Sequence, residues 1–298
     1  MPASIERIGT MRCGVGESPV WHGGERALYW TDIPNRTLWR WDPSRNHSNA
    51  WTLPEMAGCM AMTADGGWLL AMESGLFRAT AFVPGMATPV LRRVAKVTHA
   101  REGMRFNDGR CDRQGRFWAG TMVMDMSLAA DDGQLYRHDA NDANDGLTPV
   151  LPSLITPNGL AFSPDGRTMY LSDSHPSRQI VWAFDYDIDT GTPSNRRVFV
   201  DMTTLPGRPD GAAVDAEGCY WICGNDAGQI HRFTPAGRLD RSLAVPVAKP
   251  AMCAFGGDRL DTLYVTSIRT SDAEDPLSGA VFALRPGVPG LPEPMLKP

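Results

Sequence analysis

The chain has 298 residues, 42% of them hydrophobic and 21% charged, with a formal net charge of -5. That composition supports a large buried core, and the absence of clustered Lys and Arg excludes a nucleic-acid surface built on phosphate neutralisation. No apolar run reaches membrane-spanning length and the first residues, MPASIERIGTMRCG, lack the apolar stretch of a signal peptide, so a cytoplasmic location is expected.

Along the chain one two-part unit recurs six times. It opens with an apolar run, a turn and a second run rich in Trp, Tyr and Phe. A shorter segment follows in which apolar and polar residues alternate. The first copy is VWHGGERALYWTD from Val20 with TLWRWDP from Thr37, and the second is CMAMTADGGWLLAM from Cys59 with GLFRAT from Gly75. The third and fourth are GRCDRQGRFWAGT from Gly109 with QLYRHD from Gln134, and GLAFSPDGRTMYLSDS from Gly159 with QIVWAFDYD from Gln179. The last two are GAAVDAEGCYWICG from Gly211 with QIHRFTP from Gln229, and MCAFGGDRLDTLYVTS from Met252 with AVFALRP from Ala280. Each opening run reads as a β-hairpin and each follower as a third strand.

The turn glycines Gly24, Gly66, Gly115, Gly166 and Gly218 recur every 42 to 52 residues, the length of one four-stranded propeller blade. No segment of helical period interrupts the series. The expected fold is all-β: one six-bladed β-propeller with four-stranded blades over residues 1–298, carrying a metal site on its central axis. The polar segments Arg45–Trp51 and Asp139–Thr148 are expected to link strands. Ser4–Gly9 is expected to supply an outer strand to the last blade, because an open ring leaves exposed edges. The six cysteines form no CxxC pair and read as reduced core residues.

The blades can then be compared position by position. Counting back eight residues from the turn glycine gives Asn107, Asn158 and Asp210 in the third, fourth and fifth units. Glu17 lies seven back from Gly24, one residue out of step, and the second unit gives Gly58, which carries no side chain. The sixth has no clear turn glycine, and Lys249-Pro250 falls near the equivalent place. Innermost strands of a propeller start at one end of the central channel, so Glu17, Asn107, Asn158 and Asp210 are expected to form a ring of oxygens there. Asn and Asp are also frequent turn formers; the shared register is what favours a ring. Facing carboxylates repel, and a divalent cation removes that cost. The all-oxygen set suits Ca²⁺, Mg²⁺ or Mn²⁺ better than Zn²⁺. Second strands return to the same end, bringing Asp32, Met122 to Asp125, Asp173-Ser174-His175, Asn225-Asp226 and Ser267 to Arg269. Arg105, two residues before Asn107, is expected to face substrate or to form a surface ion pair, and His175 reads as a loop residue.

The motifs GESPVW from Gly16, RFNDGRCDRQGRFWAGTM from Arg105, PNGLAFSPDGRTMYLSDS from Pro157, PDGAAVDAEG from Pro209 and CAFGG from Cys253 resemble the gluconolactonase and regucalcin (senescence marker protein) family, in the family's order and over nearly the whole chain. The resemblance implies one divalent metal held by Glu17, Asn158 and Asp210, with Asp210 doubling as general base. It implies substrate contacts from Arg105 and Asn107. An acidic residue after the GTM motif falls on Asp125, a shorter side chain than the Glu of animal members. The implied activity is hydrolysis of a sugar lactone such as glucono-, arabinono-, xylono- or galactonolactone to its aldonic acid. The implied partner is that small molecule, with neither nucleic acid nor membrane, on a monomer or weak homo-oligomer. A non-catalytic calcium-binding propeller and a phosphotriesterase-like hydrolase are the rival readings.

Overall fold

The computed structural model describes residues 5–139, 146–270 and 275–297. Its strands form six four-stranded antiparallel sheets, each running outward from an inner strand. Blade 1 consists of Gly16–His22, Ala27–Asp32, Thr37–Asp42 and His47–Thr52, and blade 2 of Ala57–Met62, Trp68–Met72, Gly75–Ala79 and Leu91–Lys96. Blade 3 is Met104–Cys111, Phe117–Val123, Gly133–His138 and Leu147–Leu154; blade 4 is Pro157–Phe162, Thr168–Asp173, Ile180–Asp187 and Thr192–Asp201. Blade 5 is Arg208–Val214, Tyr220–Asn225, Gln229–Phe233 and Leu239–Ala244. Blade 6 takes Pro250–Gly256, Thr262–Ser267 and Val281–Leu284 from late in the chain and Ile5–Ile8 from its beginning. The closing strand read at Ser4–Gly9 is therefore present as Ile5–Ile8.

The runs of Trp, Tyr and Phe are continuous rather than alternating because second strands are covered on both faces. In blade 1, Tyr29 packs toward blade 2 with Trp68 and Met60, while its neighbours Leu28 and Trp30 pack toward blade 6 with Tyr264 and Val281. Blade 2 repeats this, with Trp68 and Leu70 on one face and Leu69 and Ala71 on the other. One apolar cluster fills each of the six interfaces between adjacent blades. A period of two thus serves two cores at once. All six cysteines are buried and unpaired, as the sequence indicates.

Two linker expectations are corrected. Most of Arg45–Trp51 is the outer strand of blade 1, His47–Thr52. Half of its residues are exposed and Trp51 alone is buried, so burial imposes no repeating apolar pattern on the strand. Of Asp139–Thr148, residues 140–145 lie outside the described residues, and Leu147 and Thr148 begin the outer strand of blade 3. Among the described residues the helices are two short 3-10 turns, Met126–Leu128 and Met202–Thr204, and no helix is long and apolar enough to cross a membrane.

Gly58 has a packing reason to be glycine. A Cβ there would lie 2.3 Å from the Phe106 carbonyl oxygen and 2.5 Å from that of Asn107. The missing side chain lets the inner strands of blades 2 and 3 approach. Gly58→Ala is expected to lower unfolding free energy by about 1–3 kcal/mol, the usual cost of overpacking, measured by urea denaturation.

A C-terminal segment crosses the turn end of the ring. Gly290 donates to Leu260 O (2.8 Å), Ala216 N to Pro289 O (2.9 Å), Leu296 N to Met62 O (2.8 Å) and Lys297 N to Gly115 O (3.0 Å). This strap ties blades 6, 5, 2 and 3 together. Where it meets Ser18, Met60, Arg110 and Met252 through Glu293 and Pro294, the channel retains about 10 Å³ of free space. That is room for about one water, so the strap leaves little passage at the turn end, and the opposite end is the candidate mouth.

Candidate functional site

Strand pairing fixes which end that mouth occupies. Gly16 pairs with Asp32, Arg105 with Met122, Pro157 with Asp173, Arg208 with Asn225 and Pro250 with Ser267. The starts of inner strands therefore stand beside the ends of second strands, as the topology requires. At this end every inner strand slips in register against its neighbour. The slips fall between Glu17 and Val20, Ala57 and Cys59, Phe106 and Gly109, Asn158 and Ala161, Pro209 and Ala212, and Pro250 and Cys253. Such a bulge bends the strand and re-aims a side chain.

Pairing also resolves the odd register of Glu17. Glu17 opposite Thr31 and Asn158 opposite Ser172 are each the last paired residue before the slip. Each is followed by a left-handed residue, Ser18 (φ 49°) and Gly159 (φ 61°). Gly24 is not equivalent to the other turn glycines, because the left-handed position of that turn falls on Arg26 (φ 50°). Ser18 is an unusual residue for this conformation; its hydroxyl is occupied by the Met60 N–H of blade 2 at 2.9 Å.

A chain of polar contacts runs across blades 3 and 4. The Arg105 guanidinium donates to Asn107 Oδ1 (2.8 Å) and to Phe106 O (2.9 Å). Asn107 Nδ2 donates to Asn158 Oδ1 and to Pro157 O, both at 2.9 Å. Asn158 Nδ2 donates to Ser174 Oγ at 2.7 Å. Each amide is thereby oriented by its neighbour. In blade 5, Asp210 Oδ2 accepts from Asn225 Nδ2 at 2.5 Å, while Asn225 Oδ1 is buried without a partner.

The electrostatics join Glu17 to this group. Burial pushes the Glu17 carboxyl well above its usual range, and Asp210 and Asp108 raise it further, against the pull of the Ser18 N–H and Arg105. Burial also raises Asp210 to about 7, opposed by the Asn225 hydrogen bond and Arg208. Arg105 is lowered by burial despite its attraction to Glu17 and Asp210. Two desolvated carboxylates therefore lie near enough for Asp210 to raise Glu17, and burial outweighs the compensating groups around each.

The donor chemistry of this group fits a hard divalent cation. Two carboxylates, the Asn158 amide oxygen and the orphaned Asn225 Oδ1 are all oxygens. Among the described residues no group of three or more His, Cys, Asp or Glu side chains is disposed to hold a metal. A cation here would need the Asn158 oxygen as its third donor.

The other sequence candidates separate from this group. Asp125 is exposed, and its Oδ1 caps the turn Met126–Leu128 by accepting from Ser127 N (3.0 Å) and Ser127 Oγ (2.6 Å). These bonds hold its carboxyl below the usual range. Asp32 accepts from Gly14 N and Val15 N, and Asp173 from Ile155 N and Thr156 N. Both clamp the loop that leads into their own inner strand. Asp226 pairs with Arg208 and Lys249, and Ser267 donates to Ala280 O. His175 is a loop residue tied to Ser177 and Met126, in line with its sequence reading. Ser174 and Asn225 were legible as mouth residues but carried no assigned role. Asp108 was missed; its only signal is a position next to Asn107. A surface cavity of about 620 Å³ lies at the turn end between blades 4 and 5, beside Tyr170, Phe199 and Pro235. It is remote from this chemistry.

Comparison with known proteins agrees with this architecture. The chain is 38% identical to the 6-deoxy-6-sulfogluconolactonase of Pseudomonas putida, over 96% of this chain and 98% of that protein. It is 33% identical to the regucalcin of Xenopus laevis, over 94% and 93% respectively. The crystal structure of a calcium-binding regucalcin from Agrobacterium tumefaciens superposes with a TM-score of 0.89 at 28% identity, covering 99% of this chain and 98% of that one. Residues 15–269 match the model of the SMP-30/Gluconolactonase/LRE-like region, a span that contains all six inner strands and every mouth residue discussed above. Fold, motif order and this match converge: the chain belongs to the SMP-30/gluconolactonase/LRE-like family.

Proposed function

We propose that this protein hydrolyses a sugar lactone at the axial mouth, with one divalent metal held by Glu17, Asn158 and Asp210. The observation that carries the reading is the pair of buried, desolvated carboxylates, Glu17 and Asp210, the second raising the first, beside an oriented Arg105–Asn107–Asn158 chain. The names of the relatives support it: a sulfogluconolactonase at 38% identity and a regucalcin structure described as calcium-binding. A bound hard cation supplies Lewis acidity to a carbonyl and acidifies water.

The chain's own residues do the rest. Arg105 and Asn107 bind sugar hydroxyls and hold the lactone carbonyl toward the axis. Asp210 takes the proton from the attacking water as the new C–O bond forms. It returns that proton to the ring oxygen as the ester C–O bond breaks, leaving the open aldonic acid. Asn225 fixes Asp210 through Oδ2 and leaves Oδ1 for this task. The little space left beside the strap favours entry of substrate and water from the opposite end. A purely calcium-binding scaffold would have no use for an oriented, partly buried Arg105 next to its ligands.

Asp125 contacts the substrate from the rim. Because it is exposed and already caps a turn, its contribution is small. Asp125→Ala is expected to raise KM by less than about tenfold with kcat within about twofold, the signature of lost uniform binding, read from initial rates.

The test of the whole reading is pH-drop kinetics on a panel of aldonolactones, including a 6-sulfonated one, and on a phosphotriester. Lactone turnover that disappears with a chelator is expected. No turnover of any lactone with calcium, magnesium, manganese or zinc would sink the proposal, and faster turnover of the phosphotriester would transfer the site to the other hydrolase class.

A further inference from the structure

Asp108 and Arg110 have no part in the mechanism above, yet both are buried charged residues on the inner strand of blade 3. Their bonds fall at equivalent places. Asp108 Oδ2 accepts from Leu160 N at 2.9 Å, and Leu160 stands two residues past Asn158, within the register slip of blade 4. The Arg110 guanidinium donates to Ala212 O at 2.6 Å, and Ala212 stands two residues past Asp210, at the end of the slip of blade 5. Ser18 makes the same kind of bond to Met60 N, two residues past Gly58. Arg110 in turn faces Glu293 of the C-terminal strap at 3.4 Å.

This arrangement has a physical purpose. A bulge leaves backbone groups without ladder partners, and a bulge held only by its own strand has no fixed aim. From a common strand, Asp108 and Arg110 each hold a backbone group at such a slip, one in blade 4 and one in blade 5. Asp108 Oδ1 remains buried without a partner, and burial raises the Asp108 carboxyl against the pull of Arg110. A charged group retained at that cost marks a requirement for what its other oxygen does.

We propose that Asp108 and Arg110 are positioning residues that latch the two bulges presenting Asn158 and Asp210 to the axis. The inference rests on the axial assignment made under Proposed function. It predicts that both side chains govern cation affinity without touching the cation.

The experiment uses full-length wild type, D108A, D108N and R110M, each titrated calorimetrically with calcium and separately with manganese. Leu160 amide exchange and the kinetics of a lactone that wild type opens are measured alongside. D108A and R110M are expected to weaken cation binding by about 10–100-fold, the usual cost of losing a group that orients a ligand. In D108A the Leu160 amide should exchange faster, and kcat should fall while KM moves less than about threefold. D108N keeps an oxygen for Leu160 N and should recover most of the lost affinity. Wild-type affinity in D108A overturns the latch, as does D108N binding as weakly as D108A with the Leu160 amide still protected, since charge alone would then be at work. If D108A does not fold, unchanged affinity in R110M overturns it. Variants that bind normally remove the latch alone; a wild type that binds neither cation removes the axial assignment and the latch with it.

Discussion

Asp210→Asn is expected to cut kcat on the preferred lactone by about 10³-fold, in line with the loss of a general base that also bears the site's charge. The substitution keeps size and shape. It removes the group proposed to accept the proton from water, and it leaves Glu17 as the one carboxylate of the proposed ligand set. The Asn225 Nδ2 donor now meets an amide whose oxygen can still accept, so the local fold is expected to survive. Circular dichroism and thermal melting should therefore stay close to wild type while turnover is lost. Normal turnover in this variant would refute the assignment of Asp210. Glu17→Gln should behave alike through the same pair, with the loss read in cation affinity as well as in rate.

Chelation is expected to abolish turnover, and the stability gained on adding calcium back should grow with pH. The sign follows from the direction of the shifts. Asp210 is raised from 3.8 to about 7 in the folded protein, and Glu17 is raised as well. Between about pH 4 and pH 7 the cation-free folded state holds protons that the unfolded chain has released, so its stability falls as pH rises through that window. Near the lower limit the carboxyl groups are neutral and tolerate each other. Above the upper limit they are ionised, and a cation is needed between them. The melting temperature without calcium should thus drop from about pH 5 to about pH 8, and calcium at about 100 times its Kd should restore about 2.7 kcal/mol at the higher pH. A calcium increment independent of pH would mean that these two carboxylates do not bind it. Rates that survive exhaustive chelation would remove the metal from the reaction.

Much of this was legible because burial writes itself into sequence. The second strands, such as Tyr220–Asn225 and Thr262–Ser267, lie between two cores and show continuous apolar runs. The outer strands Leu91–Lys96 and Leu239–Ala244 are largely exposed, so nothing in their side chains distinguishes them from linkers. The same contrast holds at the mouth. Asn107, Asn158 and Asp210 could be picked out because repeats put equivalent residues in register, and Glu17 fell one residue out of step with them. Their orientation could not, since Asn107 to Asn158 and Asn225 to Asp210 are contacts between segments that only folding brings together. The strap was invisible for a related reason: PGVPGLPEPMLKP has no periodicity, and the bonds that tie it to blades 6, 5, 2 and 3 are made by backbone groups.

The pairing of Ile5–Ile8 with Val281–Leu284 has a consequence for how the molecule is made. A ribosome releases the opening strand long before its partner exists, so that strand must wait, uncommitted, while five sheets assemble. Circularising order makes this testable: a permutant that begins in the loop ahead of Gly16 and carries Ile5–Ile8 at its far end would build every blade from contiguous chain. Such a permutant should refold faster than the natural order, because its slowest loop closure has been removed.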